Sequence, residues 1–160
     1  MILHPENASN NTNIDALEAA ARSVAVRLST IAVRGLADIE PAIGGFATRA
    51  NIGLVVLSNA STTLHREWIA TLAVRHRIPA AYPYRYFTAD GALVSYGADL
   101  MEIYRQAAGY VDRILRGAQP EDLPVQRPVK LELVVNLKTA KAIGLTIPES
   151  FLLRADEVIE

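Results

Sequence analysis

Residues 52–59 read IGLVVLSN, an apolar run that ends at two polar residues. A strand with one solvated face alternates apolar and polar residues, whereas continuous apolarity is typical of a strand buried on both faces of a parallel sheet. Further along the chain, Leu64, Trp68 and Leu72 recur at helical spacing, and a second apolar run follows at 78–82. A strand, a helix and a strand in this order predict a right-handed βαβ crossover.

The same alternation runs through the rest of the chain. Apolar runs predict further strands at 1–3, 26–33, 92–95, 131–135 and 158–159, and helical spacing predicts further helices at 14–24, 39–50, 99–116 and 137–143. We expect Thr62 or Thr63 to cap the helix between the first two strands discussed, and Asp99 to cap the longest helix. Prolines in 118–128 predict an extended connector. The pattern predicts an α/β fold: a Rossmann-like three-layer sandwich with a mostly parallel sheet, in a single domain of residues 1–160.

The composition excludes several classes of protein. The 160 residues carry a net charge of -1 and no cysteine, so there is no basic footprint for nucleic acid and no thiolate metal site or disulfide. No apolar run approaches the roughly 20 residues needed to span a bilayer. The opening residues MILHPENASN lack the pattern of a secretion signal, so we expect none in this sequence.

Sequence motifs for catalysis and cofactor binding are missing as well. The phosphate-binding G-x-x-x-x-G-K-[ST] loop, the dinucleotide G-x-G-x-x-G loop and the nucleophilic G-x-S-x-G elbow do not occur. His65 and Glu67 form an H-x-E pair, but the P-C-x-x-C partner of a zinc deaminase cannot exist without cysteine. His65 and His76 are about three helical turns apart, too far to share a metal. We predict no cofactor and no metal site.

Polar loops follow the predicted strands at 6–10, 58–62 and 84–86. In open α/β sheets ligands bind outside the carboxyl ends of the strands, so these loops are candidates for contact with a small molecule. Asn, Ser and Thr are also the usual helix-capping residues, and this alternative stays open for the first two loops. The tyrosines around residue 84 suit either stacking on a ligand or packing in a core or interface. Arg85 is either a carboxylate ligand or a plain surface residue.

Several segments in order resemble the second half of the substrate-binding proteins of ABC transporters. The resemblance rests on the segments H-R-E (65–67), Y-P-x-R-x-F (82–87), G-x-x-x-S-Y-G-x-D-L (91–100), Y-V-D-R-I-L-R-G (110–117), D-L-P-V (122–125) and N-L-K-T-A-K-A-I-G-L-T-I-P (136–148). It continues upstream through LEAAARSVAVRL to the opening LHPEN. The chain departs from the family pattern at 58–60, where members usually have an acidic or proline-containing turn.

The resemblance implies one lobe of a two-lobed periplasmic-binding-protein fold, which closes like a hinge on a small ligand. It implies that the chain corresponds to the second lobe, that the full-length family works with an ABC permease, and that such proteins are periplasmic. In related folds the helix corresponding to 99–116 packs on the first lobe. With only the second lobe, its stripe of Leu100, Ile103, Tyr110 and Ile114 would face water. We therefore expect a homodimer, with this helix exchanged between protomers across Tyr96-Gly97.

These observations predict a protein that binds a small polar or aromatic molecule reversibly and does not catalyse a reaction on it. The residues expected to line the ligand cleft are Glu6, Asn7, Ser9, Asn59, Thr62, Tyr84 and Tyr96, and those expected at the hinge are Gly97 and Asp99. Two alternatives remain open. One is an oligomeric remnant that binds no ligand, and the other is a small flavodoxin-like enzyme or regulatory domain, in which Glu6 and Asp99 would act as an acid–base pair.

Overall fold

The computed structural model describes residues 2–3, 8–33 and 35–160, without the side chains of residues 2–3, 8–13 and 32. The strands of this part are β1 (Ile2–Leu3), β2 (Ile31–Ala32), β3 (Leu54–Val55), β4 (Ala80–Tyr82), β5 (Val94–Ala98), β6 (Leu131–Asn136) and β7 (Glu157–Ile159). Its helices are α1 (Ala8–Ser23), α2 (Leu36–Ala47), α3 (Ala60–Leu64), α4 (Arg66–Arg75), α5 (Arg85–Ala89), α6 (Leu100–Leu115), α7 (Leu137–Ile143) and α8 (Glu149–Leu152), with a 3-10 turn at Pro120–Asp122.

The main sheet has five strands in the order β3-β4-β5-β6-β7. Neighbouring strands are parallel except for β5 and β6, which are antiparallel. Strands β1 and β2 form a separate parallel pair. The predicted α/β class and mostly parallel sheet are confirmed.

The antiparallel pairing follows from the segment between β5 and β6. The chain leaves β5 at Asp99, runs through α6 and the proline-containing connector, and returns to the same edge of the sheet at Lys130. The backbone N–H of Asp99 donates to the carbonyl of Lys130 at 3.0 Å, directly beyond the last ladder pair, Ala98 with Leu131. Helix α6 therefore extends from the sheet as an excursion and is not a βαβ crossover.

The hydrophobic core lies mainly on one face of the sheet. Leu54 and Ala80 are register partners, so their side chains point to the same face. Apolar side chains of α2, α4 and α5 cover this face and are fully buried, among them Ile39, Ile43, Ile69, Leu72 and Phe87. The apolar face of the strands and the apolar faces of these helices thus form one core cluster. Phe87 belongs to it, which holds α5 close to the end of β4.

One predicted strand in the first half of the chain is much shorter in the structure. Of the strand expected at 26–33, only Ile31–Ala32 is a strand. The residues after α1 form turns that include Ala25 at a φ of 55°, and Val24 and Val26 are exposed. β-branched composition predicted a strand here, but side chains that find no sheet face to pack against do not form one.

The helical pattern after β3 is also divided. It forms α3 and α4, because the backbone of His65 departs from helical geometry between them. The predicted end near His76 is confirmed, as His76 is the C-terminal cap of α4. In the second half, the short helix predicted at 137–143, which ends at Gly144, is confirmed as α7, and the predicted terminal strand is confirmed as β7.

The fully buried ring of Phe87 stacks on Tyr82 and on Tyr86, with centroid distances of 5.2 and 4.7 Å. We expect Phe87→Ala to lower the free energy of unfolding by about 3–5 kcal/mol, since it leaves a cavity between α5 and the sheet. Urea denaturation measures the change. Phe151→Ala is the control because Phe151 is exposed, and it should cost much less. Equal losses in the two variants would contradict this account of the core.

Candidate functional site

Several of the predicted site residues lie at the carboxyl edge of the sheet. Strands β3, β4 and β5 are parallel, so their carboxyl ends lie side by side, and Asn59, Tyr84 and Gly97 are found at or just after these ends. Of the other predicted ligands, Glu6 and Asn7 lie outside the described residues. Ser9 belongs to α1, but its side chain also lies outside the described part.

Asn59 and Thr62 bind each other at the start of α3. The Oδ1 atom of Asn59 accepts from the N–H of Thr62 at 2.9 Å, and the N–H of Asn59 donates to Oγ1 of Thr62 at 3.0 Å. The Thr62 hydroxyl donates to the carbonyl of Leu57 at 2.7 Å. The predicted cap at Thr62 or Thr63 was wrong: Asn59 is the N-cap and Thr62 closes a capping box, because the chain turns into the helix three residues earlier.

The capping box does not use the side-chain amide nitrogen of Asn59. Asn59 is only 9% exposed, and its Nδ2 atom is buried without a hydrogen-bond partner among the described residues. Asn136 caps α7 in the same way, with Oδ1 accepting from the N–H of Thr139 at 3.0 Å, but its Nδ2 donates to the carbonyl of Thr88. Buried amide donors are normally satisfied, so the unpaired donor at the carboxyl end of β3 requires an explanation.

Tyr84 lies at the end of a stack of aromatic rings. Its ring centroid is 5.6 Å from that of Tyr86, and the stack continues through Phe87 to Tyr82. The guanidinium of Arg66 sits over the Tyr86 ring. The Tyr82 hydroxyl is buried without a partner in the described region, and burial raises the pKa of Tyr82 above its ordinary value. Tyr84 itself is half-buried, so one part of its surface is open to solvent.

Tyr96 faces away from this cluster. Successive residues of a strand point to opposite faces, so Tyr96 lies on the other side of the sheet from Ser95 and Gly97. Tyr96 is 61% exposed, and its register partner is Leu133. The structure therefore places Tyr96 near the edge of the sheet but on the face opposite to Tyr82.

The two predicted hinge residues mark where the chain leaves the sheet. A side chain at Gly97 would overlap the carbonyl oxygen of Pro83, so β4 and β5 approach closely only because this residue is glycine. Asp99 caps α6, as predicted, and its Oδ1 atom accepts from the N–H groups of Met101 and Glu102. Whether the chain bends at these positions remains a prediction.

Lys130 completes the environment of Asp99. Its Nζ atom donates to Oδ2 of Asp99 at 2.7 Å, which ties the end of β5 to the start of β6. This hydrogen bond is the main reason why the pKa of Asp99 lies below its ordinary value and the pKa of Lys130 above it. Asp99 is therefore held in its ionised form with both carboxylate oxygens engaged.

The sequence analysis considered Arg85 but missed Glu132, which lies on the same face of the sheet as Gly97. Glu132 of β6 is the register partner of Gly97, and Arg85 at the start of α5 forms an ion pair at 2.5 Å with Glu157 of β7. A signal for Glu132 was present, because it is the only charged residue in the otherwise apolar run LELVV at 131–135. Nothing in the local sequence linked Arg85 to Glu157, which are 72 residues apart.

Across the described ranges, no three His, Asp or Glu side chains come together in a way that could hold a metal ion. None of the helices in those ranges is both long and apolar enough to cross a bilayer.

The sheet, the residues at its carboxyl edge and the α6 excursion define one α/β unit of a ligand-binding fold. The family model for ABC transporter substrate-binding proteins matches residues 1–159, and the chain belongs to this family. No curated protein sequence matches the chain.

Solved structures share the fold. A conserved domain protein from Vibrio cholerae O1 biovar El Tor is 26% identical, with a TM-score of 0.87 over 98% of this chain and 53% of its own. An ABC domain from Streptococcus pneumoniae, solved in complex with L-Trp, is 21% identical, with a TM-score of 0.87 over 99% of this chain and 53% of its own. An open, ligand-free substrate-binding protein with adhesive properties from Clostridium difficile is 17% identical, with a TM-score of 0.71 over 99% of this chain and 52% of its own. The chain thus spans about half the length of these proteins.

We expect Gly97→Ala to lower the free energy of unfolding by about 1–3 kcal/mol, because the new methyl group must displace the Pro83 backbone. Gly109→Ala in α6 is the matched control. A methyl group there meets no atom within 4 Å and should stabilise the helix by up to about 1 kcal/mol. Thermal unfolding of both variants measures the difference, and a stabilised Gly97→Ala variant would contradict the close approach of β4 and β5.

Proposed function

We propose that the carboxyl edge of β3, β4 and β5 forms one wall of a cleft that binds a small polar or aromatic solute, as part of an ABC import system. The observation that carries the proposal is the buried Nδ2 donor of Asn59 at this edge, which has no partner in the part of the chain that the structure describes. Family membership supports solute binding, and an ABC permease is the protein partner we propose. The second wall comes from another lobe, as expected for a chain that spans about half the length of its structural relatives.

The aromatic stack gives the proposed cleft a surface for a flat ligand. Tyr84 ends the row of rings and is half-buried, so a planar group can extend the stack on its open side. The S. pneumoniae relative was solved with L-Trp, which makes aromatic amino acids the first solutes to test. The capped start of α3 holds Asn59 in place, so its amide needs little reorganisation to bind a solute.

The hydrogen bonds and the lowered pKa of Asp99 favour a non-catalytic binding protein over the enzyme alternative, in which Asp99 would act as an acid or base. An acid–base catalyst needs a carboxyl that exchanges a proton near neutral pH. The pKa of Asp99 is lowered, and its oxygens already accept from Lys130 and from two backbone N–H groups. Its geometry is that of a helix cap joined to a neighbouring strand.

Asn59→Ser tests the proposed cleft. Serine retains the cap but removes the amide donor, so stability should change little while solute binding weakens about fivefold or more. Thermal shift with amino acids, sugars and aromatic acids first selects a solute, and calorimetry then measures its Kd.

The matched control is Asn136→Ser, which removes the amide that donates to Thr88. This variant should lose about 1 kcal/mol of stability but keep the Kd unchanged. An equal loss of affinity in both variants, or no loss in Asn59→Ser, would contradict the assignment of Asn59. If no solute shifts the wild-type protein, the cleft itself is wrong and the non-binding remnant is favoured.

We also propose that α6 packs on a second copy of the chain. No side chain of α6 is buried, and its apolar residues Met101, Tyr104, Val111 and Leu115 are all more than half exposed. Of the expected stripe, Leu100, Ile103 and Tyr110 are half-buried and Ile114 is exposed, and the Tyr110 hydroxyl donates to the carbonyl of Pro124 in the connector. The open apolar surface is centred on Tyr104, Val111 and Leu115, where association would remove it from water.

Native mass spectrometry of the purified chain should therefore show a dimer, and a double Tyr104→Ser, Val111→Ser variant should shift it towards monomer. The substitutions remove apolar area from the surface of α6 without touching the sheet. A Val125→Ser variant is the control, because Val125 is fully exposed on the connector. A monomeric wild-type protein would contradict the proposed dimer, and with it the exchange of α6 between protomers.

A further inference from the structure

The charged residues on the Gly97 face of the sheet come from several parts of the chain. Glu132 is opposite Gly97 on β6, Arg85 begins α5, and Glu157 begins β7. Asp99 and Lys130 close the same end of β5 and β6. The sheet order and the position of α5 therefore place five charged residues around the carboxyl end of β5.

Four of these five charges form two pairs. Arg85 is paired with Glu157 at 2.5 Å, and Lys130 with Asp99 at 2.7 Å. The carboxylate of Glu132 takes part in no hydrogen bond or ion pair with the described residues, although Arg85 and Lys130 are near enough to act on it electrostatically. The group therefore carries one negative charge in excess, and that charge belongs to Glu132.

Glu132 is half-buried, and its burial is the main reason why its pKa lies above the ordinary value of a glutamate. A partly desolvated carboxylate without a hydrogen-bond donor raises the free energy of the unliganded protein. Its neighbours on this face include Ser95, since alternate residues of a strand point to the same side. Ser95 is 1% exposed, and its buried hydroxyl has no partner within the described part of the chain.

We propose that the solute of this cleft carries an ammonium group and that Glu132 binds it. The inference rests on the proposed function and adds the chemical class of the solute. An ammonium supplies the single positive charge that the group lacks, and it has three donors for a carboxylate and neighbouring hydroxyl acceptors. Arg85 stays paired with Glu157, and the solute displaces no existing ion pair.

The probes are two matched sets, L-tryptophan, tryptamine and indole-3-propionate, and L-phenylalanine, phenethylamine and 3-phenylpropionate. Within a set, the amino acid and the amine should bind at least about tenfold more tightly than the acid that lacks nitrogen. Glu132→Gln should remove this preference, because glutamine keeps the shape but loses the charge. Glu149→Gln removes the same charge from the exposed helix α8 and should leave the preference intact.

The pH dependence gives a second readout. As the pH falls through the raised pKa of Glu132, the carboxylate is protonated, so the affinity for tryptamine should fall; Glu132→Gln should not show this loss. The other titratable or charged groups that act on Glu132 are Arg85, Asp99, Lys130 and Glu157. All four are present in both the wild-type protein and Glu132→Gln, so a loss of affinity that is confined to the wild-type protein belongs to Glu132. Circular dichroism and thermal unfolding confirm that Glu132→Gln is folded.

The outcomes separate the two proposals. Equal binding of the nitrogen-free acids, or an unchanged preference in Glu132→Gln, overturns the ammonium assignment and leaves the solute cleft standing. If sugars or nitrogen-free acids bind and no amine does, the ammonium assignment is likewise overturned and the solute cleft still stands. If no probe of any class binds the wild-type protein, both proposals are overturned.

Discussion

The antiparallel pairing of β5 with β6 is the constraint on which the rest of the structure depends. Its ladder runs over five register pairs, from Val94 with Val135 to Ala98 with Leu131. Because β6 runs back along β5, everything between them must leave and return at one edge of the sheet. The pairing also brings Glu132 next to Gly97, and β7 then adds in parallel to β6. The carboxyl end of β5 is therefore both the exit of α6 and the meeting point of charges from β6, β7 and α5.

A second, local constraint determines where α5 lies. Gly97 has no side chain, which lets the carbonyl of Pro83 come close to β5 and lets α5 begin directly over β5 and β6. This position buries Phe87 in the core and at the same time carries Arg85 to Glu157. The packing of the core and the charges at the proposed site thus both depend on the close approach of Gly97 to the Pro83 carbonyl. A change at Gly97 would therefore affect both the packing of Phe87 and the pairing of Arg85 with Glu157.

The sequence predicted those features that depend on local patterns. The helix at 137–143 has an Asn before it and a Gly after it, and Asp99 precedes the longest amphipathic run, so their caps could be identified from the sequence. The prediction of a strand at 26–33 was wrong for most of its length, because β-branched composition does not show whether a sheet face is available for packing. Helix α5 was missed because its five residues are too few for a helical period. The pairing of Arg85 with Glu157 and the isolation of Glu132 depend on the strand order, which local patterns do not encode.

Asn59 and Glu132 both raise the free energy of the unliganded protein for the same reason, although one is neutral and the other is charged. Each is held by an element that folds for other reasons: a capping box fixes Asn59, and the β5–β6 ladder fixes Glu132. Each then leaves a buried or partly buried polar group that has no partner among the described residues, which costs free energy in the unliganded protein. The capping box has already restricted the rotamer of Asn59, so a solute that satisfies its amide gains the interaction with a small further loss of side-chain entropy. A site of this kind favours reversible capture of a solute, because its polar groups are positioned before the solute arrives and none of them must change its covalent state.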